Sequence, residues 1–106
     1  TDENATCMVI GEDIYAMLLV EPFFRTFTHK EIADTGRTTE VIVGLSAESR
    51  EAVDALVDRA FDAGASPANE TNDQGFMYGR SYQDLDGHIW EVMWMDPATV
   101  QDADAA

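Results

Sequence analysis

One stretch limits the possible folds more than any other. His88-Ile89-Trp90-Glu91-Val92-Met93-Trp94-Met95 follows Asp86-Gly87 and stops at Asp96-Pro97. Asp-Gly can supply the positive φ angles of a two-residue hairpin turn. The run after it is apolar almost throughout, which predicts a central strand covered on both faces. Glu91 is the exception. A carboxylate in the middle of such a strand needs a metal, a hydrogen-bond network, a basic partner or a wet cavity.

The residues before it predict a mixed α+β chain. Ala5 to Ile10 and Ile14 to Val20 read as two strands joined by the turn Gly11-Glu12-Asp13. Phe23 to Thr39 is an irregular stretch, in which Phe23, Phe24 and Phe27 must be covered by a core, a ligand or a second chain. Thr38 to Leu45 is rich in Val, Ile and Thr and predicts a strand. Ser46 is an N-cap candidate for the helix that follows. Val53, Leu56, Val57, Ala60 and Phe61 form its apolar stripe, and Gly64 ends it. Asp54, Asp58 and Asp62 read as its solvated side. Ser66 to Gly75 reads as a loop or weak edge strand, and Phe76 to Gln83 as a strand. The last residues, 102–106, are expected to fray.

A length of 106 residues fits one domain, and 45% hydrophobic residues suffice for a core. The formal net charge is −15, from 21 acidic residues against 6 basic ones. That balance disfavours nucleic acid and anionic membrane surfaces, both of which are held by Lys and Arg clusters. It is compatible with a high-salt host, where screening relaxes self-repulsion. The one cysteine, Cys7, excludes an internal disulfide, fits a cytoplasmic protein and reads as a buried small hydrophobe.

Tyr78-Gly79-Arg80-Ser81-Tyr82-Gln83-Asp84-Leu85-Asp86-Gly87-His88-Ile89-Trp90-Glu91-Val92 resembles the last hairpin of the vicinal-oxygen-chelate superfamily. That group comprises glyoxalase I, bleomycin-resistance proteins and extradiol dioxygenases. The likeness runs from about Asn4 to Val100 and is nearest to small bacterial proteins labelled predicted lactoylglutathione lyase. It implies paired βαβββ modules and a curved, mainly antiparallel sheet. Weak internal similarity agrees with pairing: Ile14 to Val20, then Glu21-Pro22, repeats the order of Ile89 to Met95, then Asp96-Pro97. On this reading residues 1–106 form a single domain. Residues 1–22 are the remainder of a first module cut at its N-terminus, 23–37 a connecting loop, 38–100 a complete second module and 101–106 a tail.

The resemblance also implies a ligand set, which carries over one position at a time. The last-strand glutamate of the second module falls on Glu91. The first-strand ligand of that module falls on Glu40, where glutamate replaces the usual histidine. The last-strand ligand of the first module falls on Ala16 or Met17, neither of which binds a hard cation, and the fourth position falls in the missing N-terminal segment. Two carboxylates are too few for a tight Zn, Ni, Mn or Fe site. The two histidines do not complete it: His88 falls on the opposite face of the strand from Glu91, and His29 lies in the loop. Without a metal, Glu91 could serve as a general base toward a carbon acid, or be tied to Arg80 or a tyrosine hydroxyl. Tyr78, Arg80, Trp90 and Phe24 are candidate ligand contacts. The expected function is small-molecule binding without a strong metal site, in a homodimer. The alternatives are a metal-dependent lyase or dioxygenase, its ligands completed by another segment or chain, and a drug-sequestering resistance protein.

Overall fold

A computed structural model describes residues 2–98. The expected fraying of 102–106, and the last two residues of the 38–100 module, lie outside them. The chain divides into two compact units, Thr1–Ala33 and Asp34–Ala106.

The first unit is a hairpin followed by a short helical turn. Strands β1 (Ala5–Gly11) and β2 (Ile14–Leu19) pair antiparallel, with Cys7 opposite Met17 and Val9 opposite Tyr15. These four side chains share one face, and Val9, Tyr15 and Met17 are more than half exposed. Cys7 is exposed with them, contrary to the expectation of a buried thiol. Strand alternation assigns it to the open face of a two-stranded ribbon. Part of the predicted irregular stretch is helical: α1 (Glu21–Phe24) has Pro22 in its first turn, where the missing N–H costs nothing. It runs into a 3₁₀ turn, Arg25–Phe27, and Phe23 meets Phe27 edge to face at 5.3 Å.

The second unit is a mixed sheet with a helix on one face. It contains β3 (Ile42–Ser46), α2 (Arg50–Asp62), β4 (Ser66–Pro67), β5 (Asn72–Asp73), β6 (Met77–Gln83) and β7 (Ile89–Met95). The sheet order is β3-β7-β6-β4, with β5 also on β6; β3 runs parallel to β7 and the other pairs are antiparallel. The apolar run at 89–95 is thus central, as its composition predicts.

Helix α2 begins one turn later than expected. Its N-cap is Ser49, whose hydroxyl accepts from the Ala52 N–H at 3.0 Å; Ser46 instead ends β3. The strand takes Ser46 because Ala47 N–H still donates to the Met93 carbonyl, which extends the ladder with β7. At the other end Gly64 takes φ 110°. Ala65 N–H reaches the Ala60 carbonyl and Gly64 N–H the Phe61 carbonyl, both at 3.0 Å. These two bonds satisfy carbonyls that the helix end leaves open. Val53 and Val57 pack on Val92 as the fully buried core, with Phe61, Tyr78, Tyr82 and Trp94 around them. Leu56, placed in the apolar stripe by spacing, is 36% exposed at its edge.

The β6–β7 hairpin does not use a two-residue turn. In either its I′ or its II′ form that turn requires positive φ at the first central residue, here Asp86. Gly87 has φ 92°, and no non-glycine residue among those described has a positive φ. Asp84 N–H donates to the His88 carbonyl and Gly87 N–H to the Asp84 carbonyl, which makes a three-residue loop. Asp84 organises it: one carboxylate oxygen accepts from Asp86 N–H and His88 N–H, and the other from the Trp90 indole at 2.8 Å. Thr35 donates its hydroxyl to the Asp86 carbonyl. A Cβ at Gly87 would sit 2.5 Å from the Thr35 carbonyl oxygen, so the loop needs glycine for both angle and space.

Candidate functional site

Strand register sorts the candidate residues onto two faces. Val43 pairs with Trp90 and Leu45 with Val92 across β3 and β7; Trp90 pairs with Tyr82, Val92 with Arg80 and Trp94 with Tyr78 across β7 and β6. These rows carry the residues that meet α2. The alternate rows face away from the helix: Ile42, Ile89 and Gln83; Gly44, Glu91 and Ser81; Ser46, Met93 and Gly79. Successive residues on a strand point to opposite sides. Glu91 is therefore on the sheet face opposite α2, and Tyr78, Arg80 and Trp90 are on the α2 side.

This divides the expected site. Arg80 and Tyr78 do not tie Glu91; Asp54 and Asp58 of α2 hold them. One Asp54 oxygen accepts from the Tyr78 hydroxyl at 2.7 Å and from Arg80 at 2.8 Å, and Arg80 also donates to Asp58 at 3.1 Å. The Tyr78 hydrogen bond, followed by that of Arg80, holds the Asp54 carboxyl below its usual range. The same bond to Asp54, with burial, pushes the Tyr78 hydroxyl up. Burial alone would lower the Arg80 pKa, but its bonds to Asp54 and Asp58 outweigh that and raise it. Two of the three aspartates read as a solvated side, Asp54 and Asp58, are thus partners of β6, whereas Asp62 is exposed. The sequence signal was present in one form: Asp54 and Asp58 lie four apart, on one helix face, opposite a strand that carries an arginine.

A second cluster ties β5 to the start of α2. Arg50 donates to both Asp73 oxygens at 2.9 and 2.7 Å and to the Gly75 carbonyl at 3.0 Å. Its guanidinium lies 5.0 Å from the Tyr78 ring centre and 5.4 Å from that of Trp94. The Arg50 hydrogen bonds, with the Gly75 N–H, hold Asp73 down to about 2. This fork geometry over aromatic rings is structural, and sequence reasoning missed it because Arg50 and Asp73 lie in different elements.

The open face is sparse by comparison. Glu91 is half-buried at the middle of β7 and takes part in no ion pair among the described residues. Its lateral neighbours are small. On β6, Ser81 is 6% exposed and is engaged elsewhere: its hydroxyl accepts from Asn69 N–H at 2.8 Å and donates to the Asn69 carbonyl at 3.3 Å. On β3, Gly44 adds no side chain at all. A depression of about 40 Å³ borders Glu91 on the β6 side, lined by Asn69, Glu70, Asn72, Gly79, Arg80, Ser81 and Met93. That volume holds about one water, whereas a drug-sized ligand needs roughly 300 Å³ or more. A larger molecule would have to lie across the face.

The two carboxylates of the implied metal set, Glu40 and Glu91, stand apart in register. Glu40 is exposed and precedes β3, which starts at Ile42, so it is outside the ladder. The β3 residue beside Glu91 is Gly44, which has no donor side chain. Among the described residues no three His, Cys, Asp or Glu side chains stand close enough to hold an ion. Both His29 and His88 are exposed. Phe24 belongs to the other unit and is 44% exposed. No helix among the described residues is long and apolar enough to cross a membrane.

Comparison with known proteins bears on the fold. A solved structure titled as that of a hypothetical protein, SA1046, from S. aureus is similar to this chain with a TM-score of 0.73. The two are 24% identical over 87% of this chain and 69% of that one. No family model matches the chain, and no curated protein does.

Proposed function

We propose that this chain is a small-molecule-binding protein of the vicinal-oxygen-chelate type, which holds its ligand across the open sheet face through Glu91. The second unit supports the module reading: a strand, a helix and a run of strands, with the first strand set beside the last. One observation carries the functional reading. Glu91 is a half-buried carboxylate at the centre of the sheet, in no ion pair among the described residues, and Arg80, which lines the same depression, is bound to Asp54 and Asp58 of α2. A carboxylate left without a cation on such a face suits an incoming hydrogen-bond donor. The donors beside it do not fit a tight metal site, and no step of chemistry is assigned to a metal here.

Two measurements on the purified chain test this. In a thermal-shift screen of small molecules, Glu91→Gln should remove the stabilisation that the parent shows. Metal analysis should find Zn, Ni, Mn and Fe far below one per chain. One equivalent of metal, lost in Glu91→Gln, would replace this reading with the lyase or dioxygenase.

A further inference from the structure

Gly44 stands in the middle of β3 without a reason in the fold. Glycine inside a strand is unfavourable, and it is usually explained by a bulge, a special backbone angle or a close approach. None applies among the described residues. The β3–β7 register runs unbroken from Ile42 to Ser46. The φ of Gly44 is not positive. A Cβ built on it would meet nothing within 4 Å. Gly79, the other mid-strand glycine on this face, is different: its Cβ would press on Met93 Cγ at 3.2 Å. Packing explains Gly79, and packing leaves Gly44 unexplained.

Its position is informative. Gly44 is the β3 neighbour of Glu91. One row along, Ile42 and Ile89 make an apolar edge; one row the other way are Ser46 and Met93. Resting on the functional reading above, we infer that Gly44 is the floor of the ligand seat, and that its missing side chain sets the ligand's shape. The seat takes a flat apolar body laid over Gly44 against Ile42 and Ile89. Its N–H donors reach the Glu91 carboxylate. Glu70 and Glu91 border one depression; Arg80 also lines it, but its guanidinium is bound to Asp54 and Asp58, and the three open rows contain no Lys or Arg. Charge complementarity therefore selects a cationic donor, such as an amidinium or protonated aromatic amine.

Benzamidine is a suitable probe, since its planar amidinium matches a carboxylate in the fork geometry. A two-dimensional ¹⁵N NMR titration in 0.15 M salt screens diffuse attraction to the acidic surface. The parent should show saturable shifts at residues 42–46 and 89–93. Gly44→Val should weaken binding by about tenfold, as overlap at an occupied site does, and Gly44→Ala by less. Both variants should melt at or above the parent temperature, because a strand gains from a side chain there. Parent-like binding in Gly44→Val overturns the inference. So does a lower melting temperature in Gly44→Ala, which would give the glycine a folding role. If Glu91→Gln loses binding while Gly44→Val keeps it, the functional reading stands and only the seat is wrong. If neither variant changes binding, the functional reading fails as well. Absence of shifts in the parent removes the ligand class assigned here.

Discussion

The two faces of the β3-β7-β6 sheet use the same three strands in opposite ways. Toward α2, large groups are held by partners. Val92 packs on Val53 and Val57, Tyr78 and Arg80 meet Asp54, and the Trp90 indole is held by Asp84. Away from α2, the central row is glycine, glutamate and serine, and the serine is turned to Asn69. Adjacent residues of one strand thus differ in what they are for. Val92 answers to the fold. Glu91, one position before it, answers to nothing else in the described residues of this unit. If Glu91 serves a ligand as proposed, stability and binding are separable by side-chain parity.

The largest effect should come from breaking the packed face. Val92 is 1% exposed between Val53 and Val57. Val92→Ala removes two methyl groups and leaves a cavity that a close-packed core fills only in part. It should cost about 2–3 kcal/mol in urea unfolding, within the range for large-to-small core changes. The next residue, Met93, lies on the open face and is only half-buried, so Met93→Ala should cost clearly less. Equal losses at the two positions would erase the distinction between the faces.

A smaller effect is expected at the polar link between α2 and β6. Arg80 is 19% exposed, and its partner Asp54 is 45% exposed. Solvent at Asp54 weakens the pair, so a double-mutant cycle of Arg80→Met and Asp54→Asn should give a coupling of only about 1 kcal/mol. The shared oxygen of Asp54 makes the three groups a unit, so Tyr78→Phe should reduce that coupling rather than add to it independently. A coupling near zero would mean that the apolar contacts alone hold the helix to this face.

Much of this fold can be read from residue patterns, and the limits of that reading are specific. The valine spacing in α2 identified its packed side because 3.6-residue periodicity is local. Its start was misread by one turn, since Ser46 and Ser49 are both competent caps and only the ladder bond from Ala47 decides between them. The strand at 89–95 was recognisable from its apolar run. Within its own unit a helix covers only one of its faces, and composition cannot say how many layers a unit supplies. Glu91 was identified as the anomalous residue. Tyr78, Arg80 and Trp90, its candidate companions by chemical type, lie on the opposite face. Register decides that, and register is set by the hairpin loop. The loop proved to hold three residues because Gly87 alone takes a left-handed angle. Gly44 went unnoticed for the same reason: it acquires meaning only when paired with Glu91.

The finest test of the comparison is Glu91→Leu. On the packed face, replacing a polar group with an apolar one can strand its partner, and the loss then includes that partner's desolvation. No ion-pair partner is stranded at Glu91 among the described residues. The new side chain would also stand beside Ile89 and Met93, in a strand that favours it. Unfolding stability should therefore stay within about 0.5 kcal/mol of the parent, or rise slightly, as at surface sites without special contacts. Ligand-induced stabilisation should vanish in the same protein. A loss above about 1 kcal/mol would assign Glu91 a structural partner and make the open face a second packed one. Unchanged stability with binding lost would show that the sheet carries this carboxylate for what binds to it, at no cost to its own folding.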